Sequence, residues 1–182
     1  MSRARVAGLK PALVLMVICM VFSAILVVVH DLTKGKIAEV EREEVNRALS
    51  EVFPSAEFEK IDDYYKVFEN GVLVGYALLG EGQGYGGVYG GEPIKLVVGV
   101  NLDKTVKSVK IISHSETPGI GSKIEEENFL SQFSGKTLED LKLRSDGGKI
   151  DAITGATISS KAVVDIVRGE VQKIASEMGE GR

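Results

Sequence analysis

The sequence predicts an α+β fold: a single N-terminal transmembrane helix, then a domain in which helices pack on a mainly antiparallel sheet. Three observations carry that prediction. Residues 12–29 are apolar apart from Ser23, a run of about 27 Å if helical, against a hydrocarbon core of about 30 Å. Between residues 64 and 113 the apolar residues fall into four short segments joined in pairs by turn sequences, which is hairpin patterning. Near the C-terminus Val163, Val167, Val171, Ile174 and Met178 recur at spacings of four, four, three and four and so share one face of a helix.

The chain has 182 residues, room for one core of about 150 residues beside the anchor. Its formal charge of −4 gives no basic surface for nucleic acid. Cys19 is the only cysteine and lies in the apolar run, so no disulfide can close within the chain, and no thiolate set exists for an iron–sulfur cluster or a structural zinc. The histidines, His30 and His114, are far apart in sequence. If electrons pass through this protein, their carrier must be organic.

In order, residues 1–10 carry Arg3, Arg5 and Lys10 and read as a cytoplasmic N-terminus, and 11–30 as the anchor. A cleaved signal peptide would have a shorter apolar core and a small-residue cleavage site after it; nothing of that kind follows Val29. Lys34 and Lys36 nearly balance the basic residues ahead of the span, so charge alone does little to orient it. Residues 31–54 read as a stalk helix, with Ile37, Val40, Val45, Ala48, Leu49 and Val52 along one side, Glu39, Glu41, Glu43 and Glu44 on a solvated face, and Pro54 stopping it. Residues 55–182 form the domain. Residues 64–68 and 72–79 flank Asn70-Gly71, which accepts the positive φ angles of a type I′ turn; 94–100 and 106–113 make a second hairpin. Ser122 and Glu125 have capping-box spacing for a helix containing Ile124, Phe129 and Phe133. Residues 137–141 suggest a helical turn, and 149–153 a last strand leading into the final helix.

Three stretches carry chemistry. Asp151-Ala152-Ile153-Thr154-Gly155-Ala156-Thr157-Ile158-Ser159-Ser160 enters the last helix through two small residues. Thr157, Ser159 and Ser160 fall where hydroxyls cap backbone N–H groups, and the free N–H groups and dipole of the helix start would suit a phosphate. A capped helix after a glycine turn explains the stretch equally well. Residues 80–91 are glycine-rich, with Tyr85 and Tyr89. A dinucleotide fingerprint would need a helix directly after it, whereas this stretch passes through Pro93 into a strand, and it has no Gly-Lys-Ser/Thr ending of a P-loop. It reads either as a flexible loop or as backbone that lets a flat ring approach, with Tyr85 as aromatic surface. The third, His114-Ser115-Glu116-Thr117-Pro118-Gly119-Ile120-Gly121, is a rigid turn in which Gly119 and Gly121 supply uncommon backbone angles.

Together these motifs resemble the FMN-binding subunits of bacterial redox pumps, best matched by the G subunit of the Rnf ion-translocating ferredoxin:NAD oxidoreductase; the C subunit of the sodium-translocating NADH:quinone reductase is a related alternative. The resemblance covers residues 84–161 together with the anchor. It implies an FMN joined through a phosphoester to Thr157, the last threonine of Thr154-Gly155-Ala156-Thr157. It implies cofactor contacts from Thr154, Gly155, Ala156, Glu116, Thr117, Gly119, Ile120, Gly121, Tyr85 and Lys123, with no metal ligand and no acid, base or nucleophile role for Glu116 or His114. It further implies a membrane-bound electron-relay subunit, not catalytic alone. That subunit would sit between a membrane iron–sulfur centre and another flavin subunit of the Rnf complex, with its flavin domain on the periplasmic or extracytoplasmic side. No histidine or lysine lies within three residues of Thr157 in sequence to serve as its base, so a separate Mg-dependent flavin transferase, as the family uses, is expected to attach the FMN. A membrane-tethered adaptor without redox function is the reading from another class.

Overall fold

The computed structural model describes residues 3–180, with side chains for 11–178. The chain divides between Glu43 and Glu44 into two compact units. Helix α1 (Arg3–Val52) is continuous, with Pro11 inside it. Anchor and stalk are therefore one helix without a break. Only Gly35 weakens the stretch between them, and Thr33 keeps its hydroxyl within the helix by donating to the Val29 carbonyl at 2.8 Å. In the first unit Leu15, Phe22 and Leu26 are exposed along the apolar segment. This is the one helix among the described residues long and apolar enough to cross a membrane.

The second unit is built on a five-stranded sheet: β1 (Glu57–Ile61), β2 (Tyr64–Glu69), β3 (Val72–Gly82), β4 (Ile94–Asn101) and β5 (Val106–Ser113). The strands lie in sequence order with every neighbour antiparallel. Both hairpins form where the turn sequences place them; Asn70 and Gly71 take φ of 51° and 77°, as a type I′ turn requires. Strand β1 is an addition to the reading from sequence. It is an edge strand whose residues are exposed or half-buried, so it lacks the apolar alternation of a strand with one face in a core.

The remaining elements are α2 (Tyr85–Val88), α3 (Glu127–Leu130) and α4 (Thr157–Glu180), with 3₁₀ turns at Gly121–Glu125, Ser131–Phe133 and Arg144–Asp146. Three expectations are corrected. The helix at Ser122 is broken into single turns, with Glu126 extended at ψ 140°. Its capping box does not form, because Ser122 Oγ instead accepts the Gly119 N–H at 2.9 Å. Residues 137–141 form a turn in which the Thr137 N–H and hydroxyl both donate to Asp140 Oδ2. Residues 149–153 make no strand beyond one parallel bridge between Leu143 and Ile150. The amides of Asp151 and Ile153 go to side chains, to Gln132 Oε1 at 2.7 Å and Ser160 Oγ at 3.0 Å.

Each face of the sheet has its own core. On one, Leu78, Leu96, Val98 and Val109 pack with Val163, Val167, Val171 and Ile174 of α4 and with Ile124, Phe129, Phe133 and Ile150. On the other, Val67, Ala77 and Val97 meet Ala48, Leu49, Val52 and Phe53 from the end of α1. Each fully buried large apolar side chain contributes about 1.5–3 kcal/mol. Phe53 lies against the strands where two glycines leave space: a Cβ on Gly99 or Gly75 would approach its ring to 2.9 or 3.2 Å.

Candidate functional site

The site is assembled where α4 begins. Gly155, at φ 82°, turns the chain by a route that a residue with a Cβ takes only under strain. The Ala156 N–H donates to the Ile153 carbonyl at 2.9 Å, and the Ser160 N–H makes the first helical bond, to the Ala156 carbonyl, at 2.9 Å. Thr157 and Ile158 emerge exposed, while Ala156, Ser159 and Ser160 are buried. The hydroxyls do not cap the helix start as their spacing suggests. The cap position is taken by Ala156, and the two serines lie one turn in, facing the core. Ser160 Oγ accepts from the Ile153 N–H and donates to the Ala156 carbonyl at 2.9 Å, whereas Ser159 Oγ donates to Glu116 Oε2.

Glu116 is only 5% exposed. It follows β5, in a turn held by its own N–H donating to His114 Nδ1 at 3.1 Å and by the Ser122 N–H donating to the Thr117 carbonyl at 3.1 Å. Gly119 has φ 75°. Gly121 does not take a positive φ; a Cβ there would lie 3.0 Å from the Cβ of Glu116. Glu116 Oε1 accepts the Gly86 N–H at 3.0 Å, so one carboxylate ties the glycine-rich segment to the first turn of α4. The His114 side chain is 12% exposed, its Nε2 3.7 Å from Glu125 Oε2.

The glycine-rich segment is neither a slack loop nor a dinucleotide fingerprint. It contains the single turn α2, and its glycines make room for the backbone and side chains of Ser115 and Glu116. A Cβ on Gly86 would overlap the Ser115 carbonyl, one on Gly84 would overlap Glu116 Oε1, and one on Gly91 would come within 2.6 Å of Ser115 Cβ. The rings of Tyr85 and Tyr89 lie 4.9 Å apart at 52°.

These segments enclose an open cleft of about 510 Å³, within the range of small-molecule and cofactor sites, about 300–1,000 Å³. Of the residues expected at the site, Tyr85, Thr117, Ile120, Gly121, Gly155, Ala156 and Thr157 line it, joined by Ile158 and Ser159. Glu116 is buried with both carboxylate oxygens bonded. Gly119 shapes the turn, and Thr154 and Lys123 are exposed and outside the lining. Sequence reasoning missed Ser159 and Ile158 as cleft residues. The signal for Ser159 was present: it precedes Val163, Val167 and Val171 at four-residue steps and continues the buried stripe of α4.

The arrangement fits a flavin mononucleotide. Tyr85, Ile120 and Ile158 are 43%, 50% and 56% exposed, apolar surface left open for a flat ring. At the start of the 24-residue α4, unpaired N–H groups and the helix dipole favour a phosphate, beside the open hydroxyl of Thr157.

Comparison with known proteins agrees with this class. A family model described as the FMN-binding domain matches residues 84–171, and one described as the RnfG N-terminal region matches residues 1–52. The chain belongs to the family of G subunits of ion-translocating oxidoreductase complexes. It is 33% identical over 185 residues to the G subunit of the ion-translocating oxidoreductase complex of Methanosarcina acetivorans, covering 93% of this chain and 96% of the relative. It is 31% identical to the G subunit of the proton-translocating ferredoxin:NAD(+) oxidoreductase complex of Clostridium ljungdahlii, covering 91% and 90%. Its fold is similar to that of NqrC from Shewanella oneidensis, with a TM-score of 0.53 and 23% identity over 71% of each chain. The fold also resembles the C subunit of the Na(+)-translocating NADH-quinone reductase from Parabacteroides distasonis, with a TM-score of 0.51 and 22% identity over 63% of this chain and 61% of that one.

Proposed function

We propose that this protein is the electron-relay flavin subunit of an Rnf-type ferredoxin:NAD oxidoreductase, with FMN esterified through its phosphate to Thr157. One observation carries the reading: Thr157, set between buried Ala156 and Ser159 and exposed together with Ile158, lines a cofactor-sized cleft at the start of α4. Attachment forms a bond between Thr157 Oγ and the flavin-side phosphorus of FAD. The bond from that phosphorus to the bridging oxygen breaks, AMP leaves, and the hydroxyl proton passes to a base of the transferase. No histidine, lysine or carboxylate lines the cleft to accept that proton, which favours a separate transferase over self-modification.

The first turn of α4 would hold the phosphate of FMN, and Tyr85, Ile120 and Ile158 would cover its ring. Thr117 and the backbone of Gly121 would hydrogen-bond its polar edge, with Gly119 offering its carbonyl, since its N–H goes to Ser122 Oγ. Thr154 and Lys123 are assigned to its rim, and Glu116 to the frame behind it. The flavin supplies redox chemistry that no side chain here provides, and the protein supplies placement and tuning. A tether of this length holds the ring at an effective concentration of roughly millimolar. Helix α1 anchors the protein in the membrane with the N-terminus cytoplasmic and the flavin domain outside. There it exchanges electrons between a membrane iron–sulfur centre and another flavin subunit of the complex.

Intact mass tests the site. Protein produced with the transferase gains one FMN and Thr157→Ala gains none; an alanine variant that keeps the added mass refutes the assignment. Yellow colour and ultraviolet fluorescence of the denatured band separate this function from that of a tethered adaptor.

A further inference from the structure

An α-helix turns about 100° per residue, so side chains two positions apart leave it on nearly opposite sides. Thr157 and Ser159 stand in that relation: the first is exposed and the second is 2% exposed. The rotation of α4 about its own axis therefore decides whether the Thr157 hydroxyl meets solvent or core. The buried stripe of α4 sets that rotation along the helix, and two hydroxyls fix it at the first turn, over different ranges. Ser160 bonds only to Ile153 and Ala156, a local tie that would travel with the helix start. Ser159 bonds to Glu116, 43 residues away, and Glu116 is held from its other oxygen by the Gly86 amide. Among the described residues this is the one side-chain hydrogen bond between the first turn of α4 and the turn after β5. A buried carboxylate stripped of its donors is costly, so the frame resists any rotation that would withdraw Ser159.

We infer that Glu116 and Ser159 are positioning residues for flavin attachment: they lock the first turn of α4 in the one rotation that presents Thr157 Oγ at the end of the cleft. The inference rests on Thr157 being the attachment site. It gives Glu116 a role in which it touches the frame and not the cofactor, and it explains why Gly84 and Gly86 carry no side chain, since the carboxylate and its turn occupy that space.

The test uses the full-length protein, made without transferase, purified in detergent, then incubated with transferase, FAD and magnesium. Intact mass and in-gel flavin fluorescence follow the reaction. Ser159→Ala is expected to lower kcat for modification by about tenfold to a hundredfold while the KM for the acceptor protein changes by less than about twofold, with the melting curve confirming a folded chain. Glu116→Gln keeps the bridge, its amide oxygen accepting from Gly86 and its NH₂ donating to Ser159, and is expected to retain most of the rate. Glu116→Ala is expected to behave as Ser159→Ala does, and the double alanine variant to be no slower than either single one, since both remove the same contact. The inference is overturned by a folded Ser159→Ala modified at the wild-type rate, or by a folded Glu116→Gln as slow as Glu116→Ala. Wild-type protein that gains no mass at Thr157 sinks the attachment site itself, whereas normal modification of wild type and Ser159→Ala alike sinks only the positioning role.

Discussion

The two faces of the sheet show how this fold separates holding a cofactor from holding a tether. One face buries α4, the turns from Gly121 to Phe133 and the segment around Ile150 in a broad core; the other buries Ala48, Leu49, Val52 and Phe53 from the end of α1 against Val67, Ala77 and Val97. Every segment of the cleft belongs to the first face or hangs from its strands. The lesson is that the site's geometry is underwritten by the larger core, while the smaller one fixes only where the domain's first helix ends.

Four perturbations break or sharpen that contrast, in descending order of expected effect. Thr157→Ala should abolish covalent flavin completely while leaving both cores intact, moving the melting temperature by no more than about 2 °C; mass spectrometry and a thermal scan read both. Phe133→Ala, in the large core with its ring 5.5 Å from that of Phe129, should cost about 3–5 kcal/mol and reduce flavin loading with it. Leu49→Ala, on the opposite face, should cost about 2–5 kcal/mol, yet its folded fraction should load flavin at the wild-type rate. Denaturant melts with in-gel fluorescence compare the pair, and the reverse pattern would falsify the division of labour. Gly86→Ala should cost about 1–3 kcal/mol, since its methyl must displace the Ser115 carbonyl, and should slow flavin attachment more than it lowers stability.

The smallest effect is electrostatic. A hydrogen bond from Lys149, then one from the Thr137 N–H, hold the Asp140 carboxyl down at about 2 from its usual 3.8. Because the folded value is depressed, this contribution is complete above the unfolded value and is lost as pH falls from about 4 through about 2. Asp140→Asn should flatten the acid limb of a melting-temperature profile between pH 5 and 2: its small loss of stability is present at neutrality and vanishes toward pH 2, the pair being open to solvent on the Lys149 side.

What could be read in the sequence follows the range of the interactions involved. Asn70-Gly71 and the stripe from Val163 to Met178 are local patterns, and hairpin and helix stand where they predict. The Thr154–Thr157 and Glu116–Gly121 motifs could be named from sequence, and residues of both line one cleft. The failures come from competing partners that no element pattern marks, some nearby and some far along the chain. Ser122 has the spacing of a cap, but the Gly119 amide claims its oxygen. Residues 149–153 have the composition of a strand, but the side chains of Gln132 and Ser160 take the amides of Asp151 and Ile153. Strand β1 pairs only along one edge and so bears no alternation, and the glycines at 84, 86 and 91 read as looseness because what crowds them, residues 115 and 116, lies about thirty positions away.

Phe53 and the two glycines beneath it act as a plug and its socket. A Cβ at position 99 would overlap the Val52 side chain and meet the Phe53 ring at 2.9 Å, and one at 75 would meet the Val100 carbonyl at 2.5 Å, while a smaller residue at 53 would leave a hollow between the strands and the helix end. Positions 52, 53 and 99 therefore form one heritable unit: in related chains a side chain gained at 99 should be accompanied by shorter ones at 52 and 53, whereas 75 should stay glycine because a backbone carbonyl bars it.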